Sequence, residues 1–278
     1  MISVLILTKN EEQDLPGCLD SVAWSDDIHV FDSFSTDRTV EIARARGAHV
    51  NQRVFDGYAS QLNVALQILP FRYDWQLILD ADERVTPALA AEMRAAVTDH
   101  PPGVNAWRIP IDYYLDDAPL RHSQMTPVYL RLVRRGMVRW EREINPIPRV
   151  DGETRDLKSP IDHFPFSKGI AHWVQRHNSY STMEAEVIAS GESLRGASVR
   201  TALFGKTYHE RRAAKKALFY RMPARPLIKW LYMMFVQGAV LDGRAGLQYV
   251  NLQSIYEYLI VLKTREILRR QATRSEQH

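Results

Sequence analysis

Cysteine is nearly absent from this sequence, and the single one, Cys18, cannot close an internal disulfide. That suits a reducing compartment and excludes a disulfide-stapled secreted module. No signal peptide is visible: Met1 leads straight into the apolar run 2–7, with no basic segment and no small-residue cleavage site. A spanning helix is missing too. In the apolar segment 226–262 no window of about 18 residues is free of polar breaks, Lys229, Gln237, Asp242 and Arg244 among them. The expectation is a cytoplasmic protein. Neither G-x-G-x-x-G nor G-x-x-x-x-G-K-[ST] occurs, so there is no dinucleotide fingerprint and no P-loop. No tandem repeat or low-complexity run is evident.

What is present is an ordinary globular composition. With 278 residues, 45% hydrophobic and 25% charged, the chain can bury a sizeable core in one large domain or a domain with an elaboration. The net charge of +3 conceals an asymmetry. Residues 1–100 carry 8 Lys/Arg against 16 Asp/Glu, whereas 195–225 carry 9 Lys/Arg and one acid, Glu210. The split points to different partners for the two ends. A basic stretch alone is most often a solvated helix face.

The first hundred residues alternate between two patterns. Residues 2–7, 27–32 and 75–80 are short aliphatic runs of the kind buried in parallel sheets, and 14–23, 37–46, 58–69 and 87–98 show helical spacing. This order predicts an α/β fold with a mostly parallel sheet. Ligands of such sheets bind beyond the carboxyl ends of the strands. The polar clusters "TKNEE", "DSFSTD" and "DADE" fall there. From 103 to about 165 the chain reads as proline-containing strands, and from 169 onward as helices. The division expected is a domain at 1–165 and a helical extension at 166–278.

Three carboxylates crowd the end of the strand in "LILDADERV": Asp80, Asp82 and Glu83. In an extended chain Asp80 and Asp82 face the same way, and two close carboxylates repel unless a cation or proton lies between them. Hard oxygens at a sheet edge suit Mg2+ or Mn2+. No D-x-D-x-D-G continues from Asp80, which excludes an EF-hand loop. The rival reading is helix capping, since Thr86 and Pro87 open the next helix. "LTKNEE" offers backbone groups for a base edge and Glu11 or Glu12 for a ribose hydroxyl, or is simply a capped loop. Asp32 ends the second strand, where a carboxylate can receive a base N–H; Asp37 reads as a cap.

Together "VLILTKNEE", "DSFSTDRT", "GYASQLNVAL" and "LILDADERV", with "RHNSYSTMEA" and "GAVLDGRAGL" further on, resemble glycosyltransferase family 2. The last two look like the branch that includes lipopolysaccharide-core β-1,4-glucosyltransferases and related envelope-polysaccharide enzymes. The resemblance implies a GT-A fold (a Rossmann-like nucleotide-diphospho-sugar transferase core), a nucleotide-sugar donor (usually a UDP-sugar), Mn2+ or Mg2+, and inversion at the anomeric carbon. It implies that Thr8, Asn10 and Glu11 meet the nucleoside, with Asp32 at the base and Gln61 and Asn63 lining the donor pocket. Asp80 would approach the ribose or sugar, and Asp82 would ligate the metal with His163. The general base would be Glu143 in "WEREINP", with Arg142 where the family commonly has His, and with Glu141 as a neighbouring rival. Arg176, His177 and Tyr180 would meet diphosphate or acceptor. Trp107, Trp140 and Trp173 could stack on a sugar, although burial is the default for tryptophan.

The expected function is thus metal-dependent hexose transfer to a lipopolysaccharide-core or other envelope glycan, with the enzyme peripheral on the inner face of the plasma membrane. The basic stretch followed by aromatic helices suits an anionic membrane surface, or else a buried helical hairpin. Two alternatives stand beside it. A nucleotidyltransferase would want a basic triphosphate loop where "TKNEE" stands, and a non-catalytic membrane adaptor would fit Arg142. Nucleic acid is disfavoured, because the acidic half holds the candidate site.

Overall fold

The computed structural model describes residues 1–124, 128–141, 147–191, 198–204 and 208–275, and side chains for most of these. The chain divides into two compact units, one of residues 1–117 and 124–167, the other of 118–123 and 168–278. The short segment 118–123 therefore clusters with the helical part rather than with the sheet that surrounds it in sequence.

In the first unit the elements run β1 (Ser3–Thr8), α1 (Leu15–Ser21), β2 (Ile28–Asp32), α2 (Thr39–Ala45), β3 (His49–Gln52), α3 (Tyr58–Ile68), β4 (Trp75–Asp80), β5 (Glu83–Val85) and α4 (Pro87–Thr98). Then come β6 (Val104–Leu115) and, beyond β7 (Ala118–Leu120) of the second unit, β8 (Val128–Arg134), β9 (Val138–Glu141), β10 (Ile147–Val150), β11 (Glu153–Asp156) and β12 (Ile161–His163). The sheet order is β3-β2-β1-β4-β8-β6-β12-β5, with β9 and β10 forming a separate hairpin. β3, β2, β1 and β4 are mutually parallel, and β8 runs antiparallel between β4 and β6.

Strand alternation explains why these runs are apolar throughout. Val4 and Ile6 of β1, Val30 of β2 and Leu77 and Leu79 of β4 join one core with Leu15, Leu19 and Leu89. Leu5, Phe31 and Ile78 point the other way into a second core with Leu62 and Phe71. Helices cover both faces, so the central strands have no wet side. The helix start expected at Thr86–Pro87 is present: Thr86 Oγ1 accepts from Leu89 N–H at 3.1 Å, and Pro87 fills the first turn, where its missing N–H costs nothing.

The second unit contains β7 (Ala118–Leu120), α5 (Gly169–Ala189), α6 (Val199–Phe204), α7 (Tyr208–Tyr220), α8 (Arg225–Leu231), a π-helical turn Tyr232–Val236, a 3-10 turn Ala239–Asp242 and α9 (Gly243–Ser275). α5 and α8 pack on α9. Asp242 ties segment 118–123 to this bundle, accepting from His122 and Ser123 N–H at 2.9 Å each. Gly246 lets the 3-10 turn lie directly on α9, since a Cβ there would collide with the Ala239 carbonyl oxygen. No described helix is long and apolar enough to cross a membrane.

Candidate active site

Register brings the carboxyl ends of the parallel strands to one edge. Thr8 lies opposite Asp32, Leu7 opposite Asp80, and Asp32 opposite Gln52. Asp32 is fully buried and is the hub of this edge. Its Oδ1 accepts from Thr8 Oγ1 at 2.9 Å and from the Ser35 hydroxyl; its Oδ2 accepts from Ser35 N–H at 2.8 Å and Gln52 Nε2 at 2.9 Å. Burial raises the carboxyl pKa, but these donors outweigh it and hold Asp32 below its usual range. Four hydrogen bonds fill the acceptor sites of a carboxylate. Asp32, expected at the base, thus also ties the loop after β2 to β1 and β3.

The loops after β1 and β2 are sewn together around that hub. Asn10 sits in the left-handed region (φ 56), and its Oδ1 accepts from Thr36 N–H at 2.8 Å. Asn10 N–H donates to Ser35 Oγ at 2.8 Å, Glu11 N–H to Thr39 Oγ1 at 2.7 Å, and Lys9 Nζ to the carbonyls of Ser33 and Phe34 at 2.8 and 2.6 Å. Asp37 accepts from Thr39 N–H at 3.0 Å at the start of α2. Gln61 is buried, donating Nε2 to Ser33 Oγ at 3.1 Å and accepting from Arg53 at 2.7 Å. Thr8, Asn10, Glu11, Asp32 and Gln61 thus belong to one connected rim.

Asn63 goes elsewhere. Both ends of its amide are bound to the backbone of Trp140, Nδ2 to the carbonyl and Oδ1 from the N–H, each at 2.8 Å. This clamps α3 to β9, a structural part beside the donor-pocket role expected of Asn63.

The acidic triplet separates because β4 ends at Asp80 and a turn at Ala81–Asp82 interrupts the alternation. Glu83 turns inward and is wholly buried: its Oε2 accepts from Asp80 N–H at 3.0 Å, and its Oε1 lies 2.5 Å from Arg131. Burial pushes the Glu83 carboxyl up, and the Arg131 guanidinium pulls it back. The same guanidinium reaches Asp80 Oδ2 at 2.8 Å. One guanidinium thus meets two of the three carboxylates. Arg131 escaped sequence reasoning, although a lone charge inside "PVYLRLV" was a signal that some buried acid awaits it.

Asp82 meets His163. β12 pairs with β5 so that His163 lies opposite Glu83, and Phe164 N–H donates to the Asp82 carbonyl at 2.9 Å. His163 Nε2 then stands 3.2 Å from Asp82 Oδ2, both side chains being largely buried. Burial alone would lower the imidazole pKa, but Asp82, then Glu83 and Asp80, raise it overall. A carboxylate oxygen and an imidazole nitrogen brought together in this way are donors that would hold Mg2+ or Mn2+. Among the described residues no third His, Cys, Asp or Glu completes a cluster, so Mg2+ or Mn2+ would take its other ligands from water and substrate oxygens. The residues fit such an ion.

Beside this pair, a cleft of about 480 Å³ is lined by Gln13, Asp14, Arg84, Tyr114, Asp116, Asp117, Phe164, Phe166 and Ser167. Of these, Tyr114 and Phe164 stack on each other with centroids 4.9 Å apart. Trp107 and Trp140, in contrast, are buried in the cores and offer no platform, and Trp173 is buried in the second unit.

Glu143 and Arg142 lie outside the described residues. The rival Glu141 is held between Arg149, at 2.9 Å, and Arg139, at 3.1 Å, and the Arg149 hydrogen bond leads in keeping its pKa below the usual range. A carboxylate so held is a weak base. In the second unit, His177 stacks on Trp173 at 3.6 Å and donates its Nδ1–H to the Trp173 carbonyl, while Arg176 reaches the Tyr180 hydroxyl at 3.3 Å. Burial pushes the His177 pKa down to about 4, so it is neutral near pH 7 and gives a diphosphate no charge.

Residues 3–157 match glycosyl transferase family 2. An uncharacterized glycosyltransferase of Rickettsia prowazekii is 37% identical over 100 residues, covering 36% of this chain and 34% of that protein. The match thus spans about a third of that relative's length. The lipopolysaccharide core biosynthesis glycosyltransferase LpsC of Rhizobium meliloti is 24% identical over 279 residues, 94% of this chain and 91% of that one. A solved glucosyl-3-phosphoglycerate synthase from Mycobacterium tuberculosis, in complex with Mn2+, UDP and glucosyl-3-phosphoglycerate, covers 41% of this chain and 44% of its own at 24% identity and TM-score 0.34. That likeness is too slight to carry a metal or substrate across. The family match takes in more than half of the chain and coincides with the α/β unit that holds the site: the protein belongs to glycosyltransferase family 2, with a core of the GT-A kind.

Proposed function

We propose that the protein transfers a hexose, with inversion, from a UDP-sugar to a lipopolysaccharide-core or related envelope glycan. The observation that carries this reading is the Asp82–His163 pair, 3.2 Å apart at the carboxyl edge of the sheet, in a family 2 chain. Asp82 and His163 would hold Mg2+ or Mn2+, which when bound would supply positive charge against that developing on the departing diphosphate. The rim built by Thr8, Asn10 and Glu11, rigidified through Asp32 and Gln61, receives the nucleoside. Arg131 fixes Asp80 so that its carboxylate faces the ribose or sugar. Glu143 takes the proton of the acceptor hydroxyl as that oxygen attacks the anomeric carbon. The near full-length similarity to a lipopolysaccharide core enzyme supports the acceptor class. Such an acceptor is lipid-anchored, which places the enzyme at the inner face of the plasma membrane.

The test is a panel of nucleotide sugars scored for thermal stabilisation with and without Mn2+, followed by NMR of the product anomer. Stabilisation by a UDP-hexose only in the presence of metal, and an inverted product, support the reading. Pyrophosphate release from a nucleoside triphosphate would replace it with nucleotidyl transfer, and metal-dependent binding without any transfer or hydrolysis would favour an adaptor.

A further inference from the structure

We propose that the second unit carries a membrane-docking ridge, running from Leu227 to Leu241, that inserts into the headgroup region of an anionic bilayer. This concerns the second unit alone and does not depend on the chemistry of the donor site. Leu227, Leu231 and Phe235 recur at intervals of four and occupy one side of α8 and the π-helical turn that continues it. That turn buries Met233 and Met234 while leaving Phe235 65% and Val236 72% exposed. Gly238, at φ 86, turns the chain, and the 3-10 turn repeats the division by burying Ala239 and leaving Val240 52% and Leu241 71% exposed. A solvated helix face would carry polar residues at these positions. Contiguous large apolar side chains held outward by a fixed backbone mark a binding surface.

Charge selects the occupant. Between residues 211 and 260 the only acids are Asp242 and Glu257. Both are withdrawn: the Asp242 side chain is 3% exposed and bound to His122, and that of Glu257 is 5% exposed between Arg225 and Lys229. The exposed charges described in this stretch, on Lys215, Lys216, Arg221 and Arg244, are all positive. Lys216 is engaged with Glu184 at 3.0 Å. A second copy of this segment brings no exposed acid to meet these cations, which gives a symmetric dimer no charge complementarity. An anionic bilayer accepts both features, apolar insertion and charge attraction, and stable peripheral attachment needs two such signals.

The experiment sediments the full-length protein with phosphatidylcholine vesicles, with and without phosphatidylglycerol. Binding should require the anionic lipid and fade between 0.1 and 1 M salt, where the Debye length falls from about 10 to about 3 Å. Phe235→Ser/Val236→Ser/Leu241→Ser should reduce partitioning about a hundredfold, the loss expected for three large side chains half-buried in lipid. Because these side chains are exposed, its melting curve and its nucleotide-sugar binding should match wild type. Lys215→Ala/Arg221→Ala/Arg244→Ala should bind more weakly and lose most of the salt dependence. The inference is overturned if wild type ignores anionic vesicles at low salt, binds neutral vesicles equally, or is unaffected by the apolar variant. It is overturned too if sedimentation velocity shows a dimer that the apolar variant abolishes. Lost vesicle binding with intact donor binding tells this failure apart from failure of the transfer reading.

Discussion

Replacing Arg131 by methionine isolates the electrostatics of the buried triad. The Glu83 side chain is 0% and that of Arg131 8% exposed, and they lie 2.5 Å apart. In the variant the carboxylate keeps only the Asp80 N–H at 3.0 Å. Asp80 also loses its partner, but its side chain is 35% exposed, so water can take over there. Removing one member of a buried pair costs about 3–5 kcal/mol. At about 2–4 °C per kcal/mol for a large domain, the melting temperature should drop by roughly 6–20 °C. Adding Glu83→Gln removes the stranded charge and should restore most of that loss, giving a coupling of about 2–3 kcal/mol in a double-mutant cycle by urea unfolding. A loss under about 1 kcal/mol in Arg131→Met, or a double variant equal to the sum of the singles, would refute the reasoning.

Glu143→Gln should cost about 10²–10⁴-fold in turnover at unchanged donor affinity, whereas Glu141→Gln should leave turnover within a few-fold, by initial-rate kinetics. Asn63→Ala should cost about 1–3 kcal/mol by removing two backbone contacts, with donor affinity retained by calorimetry. Gly246→Ala should destabilise by about 1–3 kcal/mol in thermal melts, because its methyl meets a carbonyl oxygen that cannot yield. Burial, opposed by Asp27, lowers the His29 pKa below its ordinary 6.5, so the unfolded chain binds the extra proton first. Stability from this group is present above 6.5 and is lost as pH falls toward the folded value; His29→Gln should flatten that part of the melting-temperature profile.

The sheet was legible in the sequence because its information is local. The runs around Leu5, Phe31 and Ile78 are apolar on both faces, and Thr86–Pro87 announces a helix by its own chemistry. The placement of the site at the carboxyl edge followed from topology alone. What was not legible depends on partners far along the chain. Glu83 turns inward toward Arg131, 48 residues away, and Asn63 is spent on Trp140, 77 residues away. The two-residue turn at Ala81–Asp82 broke the alternation that would have aligned Asp80 with Asp82. Asp32 showed its type and position but not that Thr8, Ser35 and Gln52 saturate it. Residue types revealed the chemistry, and long-range register decided which groups remain open to a ligand.

The central claim is that Asp82 and His163 form a metal-dependent donor site. Isothermal titration of a UDP-hexose into wild type and Asp82→Asn, each with Mn2+ and with EDTA, tests it directly. Wild type should bind only with Mn2+, and the folded variant should show no metal-dependent binding, an amide being a poor ligand for a hard dication. Equal binding in EDTA, or metal-dependent binding retained by Asp82→Asn, would contradict the claim.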